Sequence, residues 1–199
     1  MILDLLLPRP LPRSFYTRSA LTVARALLGK ALIRKVGRRV LLGTIVEVEA
    51  YLGARDPASH AYRGKTKRNE VMFREGGYLY VYFTYGMHYC ANVVTGEEGI
   101  GEAVLIRAVE PIDGAETMLN NRGLTRLDRN LTNGPAKVCQ AFGIGRNDNG
   151  TDLLGDEIYI VEGRPPRKGD VGTSFRIGVS RGAEKRWRFF LKENEWVSK

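Results

Sequence analysis

One stretch of the chain reads Thr44-Ile45-Val46-Glu47-Val48-Glu49-Ala50-Tyr51. Its β-branched and aliphatic residues are typical of a strand, in which side chains alternate between two faces. One face therefore carries Ile45, Glu47, Glu49 and Tyr51. Two carboxylates beside an aromatic ring, in a segment otherwise suited to a core, indicate the floor of a cleft where a partly desolvated glutamate could act as a general base. A sheet with one solvated face is the open alternative.

We expect this strand to cover residues 40–50. The segments on either side of it predict a chain that contains both strands and helices. We expect further strands over residues 78–84, 88–95 and 103–110, the last ending at Pro111, and near 157–161, 174–179 and 187–191. Helices are expected over residues 14–28, 113–120 and 134–143. No linker or repeat divides the chain. The pattern predicts one α+β domain over residues 1–199, with residues 1–13 as a proline-rich N-terminal segment.

The composition is that of a basic globular protein. Of the 199 residues, 43% are hydrophobic and 27% are charged, which excludes a wholly disordered chain. The 31 lysines and arginines exceed the 22 aspartates and glutamates, so the net charge is +9. A surface of this charge attracts polyanions, and nucleic acid is the commonest of them inside cells.

Several classes of protein are excluded by what the sequence lacks. No apolar run approaches the roughly 20 residues that span a bilayer. The apolar stretch 2–7 contains Asp4 and precedes the first arginine, the reverse of a secretory signal. The two cysteines and two histidines show no zinc-ligand spacing, and no phosphate-binding glycine motif occurs. We therefore expect no membrane, metal or cofactor. We expect a protein that is not secreted, and that is cytoplasmic and nucleoid-associated in a bacterium or nuclear in a eukaryote.

A second unusual stretch, residues 77–89, holds five of the nine tyrosines. Tyr85 lies in the tight Tyr85-Gly86 link between two predicted strands. Aromatic residues in a basic protein can stack on unstacked bases, and an aromatic hairpin tip can wedge between base steps in the minor groove. Tyrosine is also a good strand former, and core packing is the interpretation we favour for Tyr78 and Tyr80. A bulky ring at a turn gains little from folding, which favours a functional role for Tyr85.

Arg107 is a lone charge on a predicted buried strand. Such a charge costs several kcal/mol unless it is paired. A carboxylate such as Glu49 would pair with it and be oriented by it, and a purely structural salt bridge is an equally good interpretation. The other basic residues form three groups, over 34–39, 63–68 and 181–188, that favour contact with a nucleic-acid backbone. Any one group alone is typical of a solvated face.

A longer series of motifs is more specific than any of these features. In order and spacing it resembles the alkyladenine (3-methyladenine) DNA glycosylase family, most densely over residues 40–140. The motifs are Val46–Gly53, Asp56, His60, Arg68-Asn69, Met72-Phe73, Leu79–Tyr82, Tyr85–Met87, Cys90, Asn92, Leu105–Pro111 and Gly134–Gln140.

The resemblance implies a catalytic pair and a base-binding pocket. Glu49 would activate the attacking water, and Arg107 would help to hold Glu49 and that water in place. The flipped base would be enclosed by a pocket made of Tyr51, His60, Tyr82 and Asn92. Of these, Asn92 would reject purines that carry an exocyclic amino group.

Further residues would contact the DNA outside the pocket. The resemblance implies that Tyr85 fills the gap that the flipped base leaves in the duplex. We expect Arg68 and Lys137 to contact the DNA backbone. Lys137 lies at a helix start, Gly134-Pro135, that could receive a phosphate or be an ordinary capped start.

The implied fold is a curved antiparallel sheet flanked by helices, with a protruding hairpin that enters the DNA minor groove. The implied activity is hydrolysis of the N-glycosidic bond of alkylated or deaminated purines in double-stranded DNA, which leaves an abasic site. 3-Methyladenine and 7-methylguanine are the expected lesions, and the sequence leaves hypoxanthine and ethenoadenine open. We expect a monomer. We also expect a monofunctional enzyme, because no lysine falls on the catalytic strand. The rival interpretation is a non-catalytic nucleic-acid-binding module that uses the tyrosine-rich hairpin.

Overall fold

A long strand, β2 (Arg39–Leu52), lies at the centre of the sheet. The structure is a computed structural model, and it describes residues 8–198. Along one edge β2 pairs with β5 (Glu102–Asp113), and along the other it pairs first with β1 (Ala31–Val36) and then with β8 (Arg188–Leu191). The stretch that carries Glu47 and Glu49 is therefore held from both sides.

The remaining strands extend this centre in both directions. The main order is β3 (Leu79–Thr84), β4 (His88–Thr95), β5, β2, β1 and β6 (Ile158–Val161), while β7 (Val171–Ser174) pairs with β8. All of these pairings are antiparallel. Register shifts in the β2–β5 ladder lie beside Gly43 and Glu47. Such bulges bend a strand and increase its twist, which is consistent with the curl of the sheet.

Four α-helices complete the domain within residues 8–198. They are α1 (Arg13–Tyr16), α2 (Ala20–Leu27), α3 (Ala115–Arg122) and α4 (Pro135–Phe142). The apolar residues of α2 and α4 join Val46 and Val48 of β2 in the larger core cluster. A smaller cluster with Tyr80 and Val94 lies on the opposite face of the sheet, because the neighbours Leu79 and Val93 point into the larger one.

The architecture confirms the predicted α+β class and the curved antiparallel sheet. The strands expected over 78–84 and 88–95 and the helix that begins at Gly134-Pro135 are present, and Gly143 ends that helix with φ 64°. The single catalytic domain over residues 1–199 stays a prediction, and residues 1–7 and 199 lie outside the described residues. Most of the proline-rich N-terminal segment falls there.

The predicted end of a strand at Pro111 is wrong. β5 continues to Asp113, and Pro111 pairs with Gly43 at one of the register shifts. Proline cannot donate a ladder hydrogen bond, but a bulge does not require that donor. Gly43 allows the close approach, because a Cβ atom there would clash with Val109 and with the carbonyl of Glu110.

Two other predicted segments also differ. The helix expected over 14–28 is divided into α1 and α2, and the strand expected near 174–179 is replaced by β7, which ends at Ser174. The following residues form a loop because Arg176 turns inward to Asp56 and the N–H of Ile177 donates to Glu49. These bonds hold the backbone away from a sheet ladder.

Helix α2 takes its N-terminal cap from a strand. The hydroxyl of Ser19, the capping position, lies 3.0 Å from Thr22 Oγ1 and makes no cap bond. Instead, Glu102 Oε2 accepts a 2.8 Å hydrogen bond from the N–H of Ala20, and Glu102 Oε1 accepts one from Arg55 at 2.6 Å. The capping carboxylate is buried on β5, so this cap is a tertiary contact.

Candidate active site

A cavity of about 210 Å³ opens beside the smaller core cluster. Its walls include Tyr51 from β2, Tyr82 from β3, Asn92 from β4 and His60 from the loop after β2. These are the four residues that the sequence predicts for the base pocket. Because Tyr51 lies on the face of β2 opposite the helices, the cavity and the helical layer lie on different sides of the sheet.

The aromatic side chains of the cavity contact one another. Tyr80 and Tyr82 are stacked with ring centroids 5.6 Å apart, and the His60 ring meets Tyr82 edge-on at 4.5 Å. His60 Nδ1 lies 3.0 Å from the hydroxyl of Tyr80. Tyr80 is buried in the core, as predicted, yet it also lines the cavity, which the sequence analysis missed.

These aromatic groups are uncharged at neutral pH. Burial, with the nearby charge of Glu49, raises the pKa of Tyr51, and burial with the neighbouring Cys90 raises the pKa of Tyr82. Desolvation by the surrounding protein and, second, the charge of Arg68 lower the pKa of His60 below its ordinary value of 6.5. The cavity therefore presents neutral rings, which accommodate either a neutral or a cationic flat ligand.

Glu49 lies directly behind the cavity wall. Its Oε2 accepts a 2.8 Å hydrogen bond from the hydroxyl of Tyr51, and its Oε1 accepts one of 2.8 Å from the N–H of Ile177. Glu47 and Glu49 are both fully buried. The alternative in which these glutamates belong to a solvated face is therefore wrong.

Arg107 pairs with Glu49, as the sequence predicts, but also with a second carboxylate. Its Nη1 lies 3.2 Å from Glu49 Oε1, while its Nε donates to Glu47 Oε1 at 2.7 Å. Burial opposes the charge of this guanidinium, yet the two carboxylates raise the pKa of Arg107. The charge is thus retained in a buried site.

A second buried ion pair, Arg176 with Asp56, supports the wall of the cavity. Arg176 binds Asp56 in a bidentate manner, at 2.5 and 2.8 Å, and also donates to the carbonyls of Ala50 and Gly182. Its guanidinium lies 4.7 Å from the centroid of the Tyr51 ring. The pair therefore anchors the loop that follows β7 against β2, and Gly178 of that loop lines the cavity.

The remaining predicted site residues of the cavity lie on the β3–β4 hairpin. Asn92 is buried, and its Nδ2 donates to the carbonyl of Tyr80 at 3.2 Å. Tyr85 lies at the tip with 86% of its surface exposed and also borders the cavity. Tyr85 and Gly86 have φ values of 50° and 69°, and two successive positive values are the requirement of a type I′ turn.

Comparison with known proteins identifies the family. The family model described as "Methylpurine-DNA glycosylase (MPG)" matches residues 14–195. The chain belongs to this family. It is a DNA glycosylase, a hydrolase of base excision repair.

Similar proteins align with nearly the whole length of the glycosylase. A protein of Carboxydothermus hydrogenoformans is 52% identical over 190 residues, 95% of this chain and 98% of its own length. A protein of Burkholderia lata is 48% identical over 94% of this chain and 90% of its own. One of Clostridium acetobutylicum is 46% identical over 94% and 96%. Each bears the name "Putative 3-methyladenine DNA glycosylase". No helix within residues 8–198 of the glycosylase is long and apolar enough to cross a membrane.

The two residues predicted to contact the DNA backbone occupy different places in the glycosylase. Arg68 borders the cavity, and its guanidinium lies 3.4 Å from the carbonyl oxygen of Phe83 on the hairpin. Lys137 lies on α4 away from the cavity and donates to Asn133 Oδ1 at 2.7 Å. Partial burial and the charge of Arg122 lower the pKa of Lys137.

Two of the basic residues counted as surface charges serve inside the glycosylase. Arg34 pairs with Asp148 at 2.5 Å, and the buried Arg188 pairs with Glu47 at 2.7 Å. The predicted basic groups over 34–39 and 181–188 are therefore smaller at the surface than the sequence suggests. The reason is that each of these two arginines pairs with a carboxylate that is distant along the chain, Asp148 or Glu47.

From the sequence, Glu47 is predicted only as one of two carboxylates on a cleft floor, and no role is predicted for Asp56 or Arg176. Glu47 occupies the same strand face as Glu49, which was a usable signal. Asp56 belongs to the recognised motifs, whereas nothing near Arg176 marks it. Its partner lies 120 residues earlier, so only the folded chain shows the pair.

Proposed function

We propose that this glycosylase removes alkylated purines from double-stranded DNA by hydrolysis of the N-glycosidic bond. 3-Methyladenine and 7-methylguanine are the proposed lesions, with hypoxanthine and ethenoadenine as further candidates. The names of the relatives support the first of these. The observation that carries the proposal is the neutral aromatic cavity with Glu49 hydrogen-bonded to its wall.

Capture of the base begins with its extrusion from the duplex. A base inside the duplex cannot be reached, and flipping costs a few kcal/mol, less for a damaged pair. The flipped purine stacks between the rings of Tyr51, Tyr82 and His60. An alkylated purine nucleoside is cationic, and the faces of the tyrosine rings attract a cation. The neutral state of His60 avoids charge repulsion with such a base.

Glu49 supports the hydrolysis itself. As the bond from C1′ to the base nitrogen breaks, the electron pair leaves with the base and C1′ becomes cationic. The carboxylate stabilises this cation and accepts a proton from the water whose oxygen bonds to C1′. Arg107 and the N–H of Ile177 hold the carboxylate in position. The product is an abasic site, and no lysine Schiff base is involved, so the enzyme is monofunctional.

Residues around the cavity provide selectivity among bases and contacts to the DNA. The amide of Asn92, held by the carbonyl of Tyr80, contributes to the choice among purines at the cavity. The β3–β4 hairpin enters the minor groove, and Tyr85 fills the space of the flipped base. Arg68 beside the cavity and Lys137 on α4 bind phosphates on either side. One copy of the chain carries all of these groups, so we propose a monomer.

The test is release of free base from duplexes that each contain one lesion. Glu49→Gln is expected to abolish release and retain DNA binding. Glu102→Gln, which changes another buried carboxylate outside the cavity, is the control and is expected to retain release. If the wild-type protein binds every duplex but releases no base, the protein is a nucleic-acid-binding module and the proposal is wrong.

A further inference from the structure

Arg107 lies between two carboxylates of the same strand. Its Nε is bonded to Glu47 at 2.7 Å and its Nη1 approaches Glu49 at 3.2 Å. A guanidinium facing one carboxylate alone tends to form two parallel bonds with it. Here the shorter bond belongs to Glu47, so Glu49 receives only one arm of the cation.

Glu47 is itself held by two residues from the C-terminal part of the chain, Arg188 and Ser198. Its Oε1 accepts from Arg188 Nε and from the hydroxyl of Ser198, each at 2.7 Å, and its Oε2 accepts from the N–H of Ser198 at 2.6 Å. The carbonyl of Ser198 accepts from Arg188 at 2.8 Å. Both oxygens of the buried carboxylate are therefore hydrogen-bonded, and its orientation is fixed.

The charges in this cluster balance. Glu47 and Glu49 supply two negative charges, and Arg107 and Arg188 supply two positive ones, all buried. Burial works to raise the pKa of Glu47, but bonds from Arg188 and Ser198 and the charge of Arg107 hold it below its ordinary value. If the charge of Glu47 were removed, Arg107 would keep Glu49 as its remaining carboxylate partner.

We propose that Glu47 is a positioning residue for the hydrolysis. Together with Ser198 it holds Arg107 so that a single arm, Nη1, reaches Glu49. Glu49 Oε2 then has the hydroxyl of Tyr51 as its partner and is the oxygen that takes the proton of the attacking water. The inference rests on the proposed role of Glu49 as the base.

A purely structural cluster makes a different prediction. In that case, loss of Glu47 lowers the free energy of unfolding but leaves the chemistry of the folded fraction unchanged. If Glu47 is a positioning residue, Arg107 turns onto Glu49 when Glu47 is neutralised. The carboxylate then becomes a weaker base and is drawn away from the water.

The test is single-turnover base release by Glu47→Gln on a lesion duplex. We expect the rate at neutral pH to fall by about tenfold or more while the Kd for the same duplex stays within about twofold. We also expect the acid limb of the rate–pH profile to move to lower pH. Glu102→Gln, a buried carboxylate that also contacts an arginine, is the control and is expected to keep the wild-type rate and profile.

Ser198→Ala provides a second variant if Glu47→Gln does not fold. It removes one of the four hydrogen bonds to Glu47 and leaves every charge in place, so a smaller fall, about threefold, is expected with the same shift of the acid limb. A wild-type rate and profile in every variant that folds would overturn the proposal. If Glu49→Gln instead remains active, the proposed function itself is wrong, and the two failures are thereby distinguished.

Discussion

The hydroxyl of Tyr51 donates a 2.8 Å hydrogen bond to Oε2 of Glu49, two residues earlier on β2. Side chains at this spacing project from one face of a strand, so the pair forms without any distortion. One ring thus borders the cavity while its hydroxyl holds the buried carboxylate. In the proposed mechanism, binding of the base and orientation of Glu49 are therefore linked through this residue.

The two contributions of Tyr51 can be separated by substitution. Tyr51→Phe keeps the ring but removes the hydrogen bond, and we expect single-turnover base release to slow by about tenfold with little change in Kd. Tyr51→Ala removes the ring as well and is expected also to weaken binding of the lesion duplex. Rate and Kd measured on the same duplex check this. Equal effects of the two variants on Kd would contradict it.

Tyr85 is strained by its backbone, which predicts opposite effects on function and stability. Its φ of 50° is one that asparagine tolerates better than tyrosine. Tyr85→Asn is therefore expected to keep or raise the stability, by up to about 1 kcal/mol, while base flipping weakens because the ring is lost. Urea unfolding and 2-aminopurine fluorescence next to the lesion measure the two effects. Tyr85→Trp, which keeps an aromatic ring, is the control and should retain flipping.

Loss of Arg176 should be severely destabilising. Its side chain and that of Asp56 are fully buried, so Arg176→Met leaves a buried unpaired carboxylate and should cost about 3–5 kcal/mol. Lys30→Met breaks a surface pair in which the side chain of Glu162 is 72% exposed, and it should cost about 1 kcal/mol or less. Denaturant unfolding of both variants gives the comparison. Similar losses would show that burial of the Arg176 pair has no such effect.

Acid should destabilise the glycosylase through Glu47. Its pKa in the folded chain lies below the ordinary value of 4.5, so the charged form stabilises the fold fully above pH 4.5. This contribution is lost as the pH falls through the lower, folded-state pKa. Glu47→Gln should therefore be less stable than wild type at neutral pH, with a difference that shrinks in acid. Denaturant unfolding across this pH range tests the sign, and a difference that grows in acid would be inconsistent with it.

His60 should titrate at unusually low pH. Its surroundings and then the charge of Arg68 lower its pKa below 6.5. We expect its imidazole signals in an NMR titration to shift only below that value, and Arg68→Gln to move the midpoint upward. His60→Gln identifies the signals. A midpoint above 6.5 in the wild-type protein would contradict the neutral pocket.

Local patterns predicted the parts of the site that depend on neighbours in the chain. The alternation in β2 placed Glu49 and Tyr51 on one face, and the Tyr85-Gly86 link marked the tip of the hairpin. A buried arginine needs a carboxylate, which identified Glu49 as a partner of Arg107. These inferences succeed because strand periodicity and turn chemistry operate over a few residues.

Long-range pairings were beyond such patterns. Glu47 receives Ser198 from 151 residues away, and nothing in the sequence near either residue indicates this contact. The strand expected near 174–179 failed for the same reason, since Arg176 is drawn inward by a distant aspartate. The apolar–polar alternation there is typical of a strand, but tertiary bonds decide the backbone.

The cap of α2 by Glu102 has a consequence for synthesis of the chain on the ribosome. Ala20 is translated 82 residues before Glu102, so the nascent α2 lacks its capping carboxylate until β5 has been made. An eight-residue helix is marginal without tertiary support. A stalled chain that ends before β5 will therefore keep this apolar segment unfolded and available to chaperones.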